Sequence, residues 1–499
     1  MSLNPGPSDS RTHNMNALST TSRKDRFQGA LLGLAAGDAV GTTVEFKARG
    51  SFPPVTDMTG GGPFDLKPGQ WTDDTSMALC LGQSLLDRCV FDPVDQLKKY
   101  VRWWKEGYMS STERCFDIGN TTRGALRRFG ETGEPESGSI DPHSAGNGSI
   151  MRLAPVPMFY LFDPPQALEK CALSSRTTHG AATAIDACRY LGALLLGALA
   201  GESKEILLAD HYAPLPGYWK QYPLCAEIDE VANGSFRRKS AREICGSGYV
   251  VSSLEAALWA FGNSRSFAEG CLKAVTLGED ADTTAAVYGQ IAGAFYGRAG
   301  IPQRWLDKLA RGPLIEQIAA GLYGHGNRPH GNCYWAEPDR LMAGEYPGNK
   351  DESTAQAKLR KTVEAGVTFF LDLTEAGEYG LKPYAPFLPA ASPVGKKVEY
   401  RRFPVRDTGV PGKREMQAIL DEIQNSLAQG HIVYVHCWGG VGRTGTVIGC
   451  WLRQSGMTGE QALNQVTQFW RTMSEAKLLR HPESPEFEAQ KQFVRDWNG

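Results

Sequence analysis

Small and apolar residues recur at helical spacing through the first three-fifths of the chain. A glycine inside a helix costs roughly 1 kcal/mol relative to alanine. Its repeated use here therefore indicates helices whose backbones pack very close together. Strand-like runs are scarce, so the pattern predicts a predominantly α-helical region. The helical patterns cover 29–37, 75–88, 162–173, 179–201, 252–262 and 283–297.

The pattern changes after a turn-rich stretch, GHGNRPHGN, that begins at residue 324. The apolar runs 366–374 and 431–436 predict buried β-strands, and 413–428 and 443–455 have helical periodicity. Strands that alternate with helices are typical of an α/β domain with a covered sheet. The sequence thus predicts a multidomain chain whose parts are a disordered leader (1–24), an all-α domain (25–323), a linker (324–331) and an α/β domain (332–499).

Composition narrows the protein class without revealing the chemistry. Hydrophobic residues make up 41% and charged residues 22%, as in folded globular proteins. The formal charge of -2 does not indicate a protein with a broad nucleic-acid-binding surface, although a local basic pocket is compatible with it. The 11 cysteines lack zinc-site spacing, which indicates reduced thiols and a cytoplasmic protein. The most apolar run, 190–200, is too short for a membrane span and predicts a buried helix instead.

The sharpest motif is HCWGGVGRT at 436–444, between a predicted strand and a predicted helix. Backbone N–H groups at such a helix start form an anion nest, and Arg443 offers a planar fork for phosphate oxygens. The same positive field favours Cys437 as a thiolate nucleophile, with Thr444 placed to hydrogen-bond the sulfur. The tight turns that this nest requires are assigned to three glycines, Gly439, Gly440 and Gly442.

A phosphatase also needs a general acid for the leaving alcohol. Asp407 lies 30 residues before the cysteine in a proline-bounded loop, which suits a mobile acid; the alternative is an ordinary turn residue. Together, HCWGGVGRT, PVRDTGVP at 404–411 and RLMAGEYP at 340–347 make residues 332–499 resemble the dual-specificity and protein-tyrosine phosphatase superfamily. The resemblance implies Cys437 as nucleophile, Asp407 as acid and Arg443 as phosphate ligand. The signature loop has no lysine, which disfavours polyphosphorylated inositides.

Two acidic clusters stand about 200 residues apart, WTDDT at 71–75 and GEDADTT at 278–284, and each opens a helical pattern. Carboxylates and hydroxyls without histidine or cysteine suit a hard cation such as Mg²⁺, Ca²⁺ or Mn²⁺. Helix capping explains each cluster alone as well. Adjacent carboxylates, however, repel one another unless a cation lies between them.

Further blocks lie between the clusters: GDAVG at 37–41 with Glu45, GNGSIMR at 146–152 and THG at 178–180. In this order the blocks make residues 26–320 resemble the ADP-ribosylglycohydrolase family. The resemblance implies an all-α fold, two Mg²⁺ ions and a mobile Glu45 near them. It also implies that the glycine loop Asn147–Ser149, through Asn147, Gly148 and Ser149, and His179 hold ADP-ribose. The implied metal ligands are Thr72, Asp73, Asp74, Asp280, Asp282 and Thr283.

These observations predict a bifunctional hydrolase that removes ADP-ribose from an acceptor and hydrolyses a phosphate monoester. The predicted partners are an ADP-ribosylated protein or nucleic acid and a phosphorylated substrate, with no membrane. One alternative is an ADP-ribose reader fused to a phosphatase. Another is the processing of a phosphorylated ADP-ribose or a nucleic-acid end. The acceptor (arginine, serine or phosphate), the phosphatase substrate and the oligomeric state stay open.

Overall fold

A computed structural model describes residues 21–392 and 397–499. Most of the predicted leader lies outside these residues, but Arg23 and Lys24 already belong to the first helix, which Ser22 caps. The helices of the first region are α1 Arg23–Gly41, α2 Asp73–Arg88, α3 Pro93–Glu106, α4 Asn120–Thr132, α5 Pro155–Phe159, α6 Pro164–Arg176, α7 Ala182–Ala200, α8 Lys204–Leu207, α9 Tyr218–Gln221, α10 Ala226–Ala232, α11 Ser235–Arg238, α12 Val250–Gly262, α13 Phe267–Val275, α14 Ala281–Tyr296, α15 Gln303–Leu306 and α16 Gly312–Gly326.

Helices α1 and α14 form the centre of this region, and glycines set how closely they approach. A Cβ on Gly29 would lie 2.1 Å from the carbonyl oxygen of Gly293. One on Gly33 would lie 2.4 Å from the carbonyl oxygen of Gly289. The close backbone packing predicted from the glycine pattern is therefore present, and it brings the start of α14 beside the end of α1.

The second region is built on a five-stranded sheet of order β1-β2-β5-β3-β4. Strand β1 pairs antiparallel with β2, and the remaining pairs are parallel. The predicted order, helical domain first and α/β domain second, is confirmed. The elements are β1 Cys333–Glu337, β2 Leu341–Gly344, α17 Glu352–Glu364, β3 Phe369–Asp372, α18 Leu388–Ala391, β4 Glu399–Arg402, α19 Lys413–Ala428, β5 Val433–His436, α20 Gly442–Gln454, α21 Gly459–Trp470, α22 Glu475–Arg480 and α23 Glu488–Arg495.

One described helix, α7, is long and apolar enough to cross a membrane by length and composition. Its most apolar window is 83% buried inside the protein, against the other helices of the first region. The helix is therefore a core element, as predicted for its second half.

The two regions pack directly on each other. Helix α16 continues to Gly326, so the predicted linker 324–331 begins inside a helix. Arg23 donates to Asn327 Oδ1 at 2.8 Å and to the Glu364 carbonyl at 3.0 Å. Lys361 of α17 donates to the carbonyl of Phe162 at 3.0 Å. These contacts fix the α/β region against the end of the helical region where α1 begins.

Candidate active sites

The two acidic clusters of the sequence meet where α2 and α14 begin. Thr72 Oγ1 donates to Asp282 Oδ2 at 3.3 Å, and Thr283 Oγ1 donates to Asp74 Oδ1 at 3.1 Å. The structure therefore joins residues that stand more than 200 positions apart. The same centre contains all six residues predicted as metal ligands, Thr72, Asp73, Asp74, Asp280, Asp282 and Thr283.

Asp38 on α1 is a member of this centre that the sequence prediction missed. Its carboxylate accepts four hydrogen bonds of 2.6–3.1 Å from the backbone and hydroxyl groups of Thr72 and Thr75. One of its oxygens lies within 4.8 Å of oxygens of Asp74 and Asp282. The available signal was a single carboxylate inside the otherwise apolar helix 29–41.

Asp117 is the second residue that was missed, and nothing around it in the sequence marks it. It precedes α4, and a carboxylate oxygen lies within 4.8 Å of oxygens of Glu45 and Asp282. The centre thus contains two groups of three carboxylates that share Asp282. Glu45 itself is 3% exposed and accepts a hydrogen bond from Thr42 at 3.4 Å.

The carboxylates in this centre repel one another. Burial and then the charge of Asp117 raise the pKa of Glu45 to about 9, and burial and then Asp280 raise the pKa of Asp117 to about 8. Burial and neighbouring carboxylates also hold the pKa of Asp74 and Asp282 well above the usual range. Asp74 Oδ2 and Asp282 Oδ1 are buried, and neither has a hydrogen-bond partner among the residues that the structure describes. Unpaired carboxylate oxygens in such a group are the donor set that a hard divalent cation requires.

A cleft of about 570 Å³ opens above the acidic centre. Its wall includes Asp73, Asp117, Asp280 and Thr283, together with Glu45 and the glycine loop. Asn147 lies on this wall and donates to Asp280 Oδ2 at 2.7 Å, so the loop is tied to the acidic residues. The predicted binding residues Asn147, Gly148 and His179 all line the cleft.

His179 is held as a neutral ring at the base of the cleft. Thr178 Oγ1 lies 2.8 Å from its Nδ1, and Arg152 donates to Thr178 at 2.7 Å. Burial, with a smaller contribution from Arg152, lowers the pKa of His179 to about 3. A Cβ on Gly148 would lie 2.8 Å from the His179 ring, so the glycine allows the loop to rest on it.

Ser149 does not take the predicted place. Its side chain is 1% exposed and does not line the cleft. Of the three loop residues predicted to bind ADP-ribose, Asn147 and Gly148 line the cleft and Ser149 does not.

The second site follows strand β5 in the α/β region. Cys437 directly follows the last residue of the strand, and the loop after it folds back so that Gly440 N–H donates to Cys437 Sγ at 3.2 Å. Gly440 has φ of 72°, and a Cβ there would lie 2.5 Å from the carbonyl carbon of Gly344. A Cβ on Gly442 would lie 2.6 Å from Gln490 Nε2, so that buried side chain would have to shift. Gly439 has no left-handed φ, and a Cβ there would lie 3.3 Å from Val441 Cγ2, so its place in the anion loop stays a prediction.

Arg443 closes this loop, and carboxylates already surround it. Glu378 accepts from both terminal nitrogens at 2.6 and 2.7 Å, and Asp407 Oδ1 lies 2.8 Å from Nη2. Beyond the cost of burial, these carboxylates and Cys437 raise the pKa of Arg443 further above its usual value. Glu378 was missed because nothing in the segment 375–380 distinguishes it from a surface acid.

Two polar atoms at this site remain without partners. Arg443 Nε and Thr444 Oγ1 are buried and make no hydrogen bond among the described residues. The predicted bond from Thr444 to the sulfur is therefore not formed here; Gly440 N–H occupies that role. Unpaired buried donors beside the anion nest are what a phosphate oxygen can satisfy.

The predicted acid, Asp407, lies at the same site. The hydroxyl of Tyr379 donates to Asp407 Oδ2 at 2.7 Å, and the other carboxylate oxygen pairs with Arg443. The structure thus brings Arg443 and Asp407 into contact, with Cys437 in the loop that Arg443 closes. This arrangement is compatible with acid catalysis and is not explained by a simple turn.

Comparison with known proteins identifies relatives for both regions. A sequence model of the ADP-ribosylglycohydrolase family matches residues 19–331, and one for the Swiss Army Knife protein, DSP-PTPase phosphatase domain, matches residues 330–494. The ADP-ribosylarginine hydrolase Tri1 of Serratia proteamaculans (strain 568) is 43% identical over 299 residues, which cover 60% of this chain and 79% of that protein.

A second relative is the ADP-ribosyl-[dinitrogen reductase] glycohydrolase of Rhodospirillum rubrum, 32% identical over 57% of this chain and 90% of that protein. A solved structure described as an ADP-ribosylglycohydrolase-related protein complex is 45% identical, with a TM-score of 0.54 over 61% of this chain and 99% of that chain. Both predicted resemblances are confirmed, and both are to hydrolases.

Proposed function

Because the chain belongs to the ADP-ribosylglycohydrolase family, we propose that its helical domain removes ADP-ribose from arginine side chains with the help of two Mg²⁺ ions. We propose also that its phosphatase domain hydrolyses phosphate monoesters through Cys437. Arginine is favoured as the acceptor because the two relatives that are 43% and 44% identical are named ADP-ribosylarginine hydrolases.

The observation that carries the first activity is the convergence of carboxylates beneath the cleft. The six predicted ligands, with Asp38 and Asp117, supply only oxygen donors, which fit Mg²⁺ better than a softer metal. Two groups of three that share Asp282 are compatible with two neighbouring cation positions. Bound there, the cations would supply positive charge that orients the ribose hydroxyls and activates water.

The other cleft residues have roles that follow from their chemistry. Asn147 and the neutral His179 both line the cleft and offer hydrogen bonds to ADP-ribose. A guanidine must be protonated to leave, and Glu45 lies on the cleft wall with its carboxyl group beside Asp117. This position suits a group that transfers a proton to the leaving guanidine.

This activity can be tested with ADP-ribosyl-arginine, ADP-ribosyl-serine and ADP-ribose 1″-phosphate, each with Mg²⁺ and with EDTA. Release of ADP-ribose from the arginine conjugate alone, and only with Mg²⁺, is expected. Full turnover in EDTA contradicts the metal assignment, and preference for serine or phosphate contradicts the acceptor. Binding of ADP-ribose without turnover of any conjugate favours the reader alternative.

The phosphatase step uses the second set of residues. The Cys437 thiolate attacks phosphorus, the bond from phosphorus to the ester oxygen breaks, and Asp407 gives that oxygen its proton. Water then attacks the phosphocysteine, Asp407 takes a proton back, and phosphate leaves. Arg443 Nε and the loop N–H groups bind the phosphate oxygens, while Glu378 holds the guanidinium plane in place.

The observation that supports the phosphatase activity most directly is the geometry of the loop around Cys437, in which the Gly440 N–H is directed at the sulfur. Wild-type protein and Cys437→Ser should be compared on p-nitrophenyl phosphate and on β-glycerol phosphate. Loss of both activities in the variant is expected. Activity that survives Cys437→Ser contradicts the cysteine mechanism.

A further inference from the structure

Arg152 is a buried cation of the helical domain that the proposed reaction does not use. Its side chain is fully buried and its guanidinium lies over the ring of Tyr100, 4.7 Å from the centroid. In the described chain, every group that accepts a hydrogen bond from it is uncharged. A buried charge that no carboxylate balances is costly unless its donors are used. The partners of those donors therefore indicate what the charge is for.

Two of the donors reach the two segments that are predicted to hold ADP-ribose. Nη1 of Arg152 donates to the carbonyl of Gly148 at 2.9 Å, and Nη2 donates to Thr178 Oγ1 at 2.7 Å. The same Thr178 oxygen lies 2.8 Å from His179 Nδ1. One planar and rigid group thus fixes the glycine loop and His179 relative to each other.

These contacts decide which ring nitrogen of His179 carries the proton. A guanidinium only donates, so the Thr178 oxygen accepts from Arg152. Thr178 is fully buried, and among the described residues its hydroxyl has His179 Nδ1 as its acceptor. A proton on Nδ1 would leave the hydroxyl hydrogen buried without an acceptor, which folded proteins avoid. Thr178 therefore donates to Nδ1, and in the neutral ring the proton lies on Nε2.

The Nε2 edge of the ring lies under the glycine loop. A Cβ on Gly146 would lie 3.4 Å from Nε2, and one on Gly148 would lie 3.1 Å from it. Both glycines and His179 line the cleft. Within residues 21–392 and 397–499, Nε2 makes no hydrogen bond, whereas Nδ1 is occupied by Thr178. The N–H group is thus left for a ligand.

We propose that Arg152 and Thr178 are positioning residues that keep His179 in the Nε2–H tautomer, so that the ring donates a hydrogen bond to an oxygen of ADP-ribose. This inference rests on the function proposed for the helical domain and identifies the groups that prepare its binding site. The guanidinium polarises the Thr178 hydroxyl, and a polarised chain of donors strengthens its last member. The opposite tautomer would present a lone pair to the ligand oxygen, which it repels.

Nitrogen NMR of the histidine rings reads the tautomer directly. Correlations between the ring protons and both nitrogens distinguish the two forms, and loss of signals in His179→Gln identifies the ring. Wild-type protein at pH 7 should show a protonated Nε2. Thr178→Val removes the hydroxyl and keeps the shape of the side chain, so it should give a mixture of tautomers. Thr178→Ser should restore the wild-type signals, and an Nδ1–H ring in the wild type overturns the proposal.

Calorimetry with ADP-ribose in the presence of Mg²⁺ gives the second readout. Thr178→Val should weaken binding about tenfold, as expected for one lost hydrogen bond, and Thr178→Ser should change it less than about twofold. The matched control is Thr177→Val. Thr177 is equally buried, contacts the same guanidinium at 3.4 Å and donates to the Ser174 carbonyl at 2.7 Å. This variant should change neither the affinity by more than about twofold nor the ring signals of His179.

Arg152→Met, once its melting temperature shows a folded domain, should repeat both effects of Thr178→Val. Equal losses of affinity in Thr177→Val and Thr178→Val, or no recovery in Thr178→Ser, overturn the positioning role. If the expected ring signals and affinities are found but no conjugate releases ADP-ribose, the proposed hydrolysis fails and the positioning role stands. Hydrolysis by a Thr178→Val variant with unchanged ring signals and affinity is the reverse case, in which the positioning role alone fails.

Discussion

The two catalytic centres of this chain treat negative charge in opposite ways. The acidic centre of the helical domain collects seven carboxylates, and within residues 21–392 and 397–499 no lysine or arginine forms a salt bridge with any of them. The phosphatase centre places Arg443 between Glu378 and Asp407, at 2.6 and 2.8 Å. The seven carboxylates are Asp38, Glu45, Asp73, Asp74, Asp117, Asp280 and Asp282.

The two sites differ in the source of the positive charge that neutralises their carboxylates. A group of buried carboxylates is costly until an external cation or protons neutralise it. The phosphatase centre is neutralised by its own chain, and a phosphate must share Arg443 with side chains already bound there. The first site should therefore respond to metal and pH, whereas the second should respond to changes in its own residues.

The largest expected effect is a complete separation of the two activities. Asp282 belongs to both groups of three carboxylates, so Asp282→Ala should abolish ADP-ribose release and leave p-nitrophenyl phosphate hydrolysis unchanged. Cys437→Ser should do the reverse, with a loss of at least about 10⁴-fold in kcat, as removal of a catalytic nucleophile does elsewhere. Parallel assays of both activities on each variant measure this.

The control for the loss of an acidic side chain in the helical domain is Asp307→Ala. Asp307 is exposed, so this variant should alter neither activity. If Asp282→Ala also removes phosphatase activity, the two centres are coupled and the contrast between them breaks down.

The geometry of the fusion supports this independence. Asp38 lies 15 residues along α1 from Arg23, which contacts the phosphatase domain, and this corresponds to about 22 Å at 1.5 Å per residue. The cleft thus opens at the end of the helical domain that is remote from the interface. Because the two domains contact each other directly, the segment that joins them does not act as a flexible tether.

The next effect in size concerns the acid. Asp407→Asn should reduce kcat for β-glycerol phosphate by about 10²-fold, because an alkoxide leaving group depends on a proton donor. p-Nitrophenyl phosphate, whose leaving group needs little protonation, should lose far less, and the alkaline limb of the pH profile should flatten. Steady-state kinetics of the two substrates across pH measure both changes.

Asp421→Asn, an exposed acid on α19, is the matched control and should leave both substrates unchanged. Equal losses on the two substrates in Asp407→Asn mean that Asp407 holds Arg443 in place and is not the proton donor.

Local sequence was sufficient for features that depend on neighbouring residues. Helix α19, predicted at 413–428, runs from Lys413 to Ala428, and α20 starts one residue before its predicted start. The loop around Cys437 could be predicted because its turns, its nucleophile and its arginine lie within nine consecutive residues. The glycine pattern likewise predicted the close approach of α1 and α14.

Residues that act from distant parts of the chain could not be predicted in the same way. Asp117 and Glu378 each reach a site only through tertiary folding, and their surroundings in the sequence resemble those of surface acids. The position of Ser149 could not be predicted for a related reason, since a motif does not state which of its members faces the ligand. The packing of the whole domain makes that choice.

The third prediction tests whether the helical centre depends on the glycine contact. Gly29→Ala places a methyl group 2.1 Å from a backbone oxygen of α14, which must move, and overpacking of this kind costs about 3 kcal/mol. The melting temperature of the helical domain should fall by about 6–12 °C. Gly324→Ala, on α16, should raise it slightly, because no atom of the described part of the chain lies within 4 Å of the new methyl group.

Differential scanning calorimetry with the separate activities as probes measures both variants. Loss of phosphatase activity at the same temperature as glycohydrolase activity in Gly29→Ala contradicts the assignment of the effect to the helical domain. If Gly29→Ala is as stable as the wild type, helices α1 and α14 do not pack as closely as the structure indicates.

The smallest predicted effect is a pH-dependent response to Mg²⁺. In the metal-free protein the pKa of Glu45 is about 9 and that of Asp117 about 8, both above the values near 4 of an unfolded chain. The folded state therefore binds more protons than the unfolded state between these limits, and stability should fall as pH rises from 5 toward 9. Mg²⁺ replaces those protons, so the rise in melting temperature that Mg²⁺ causes should grow over the same range, to about 5–10 °C at saturating concentration.

Thermal unfolding in EDTA and in Mg²⁺ at pH 5.5, 7 and 8.5 measures the difference, and Asp282→Asn should reduce it at every pH. A Mg²⁺ effect that is equal at all three pH values, or largest at pH 5.5, contradicts the view that external cations and protons compete for one set of carboxylates.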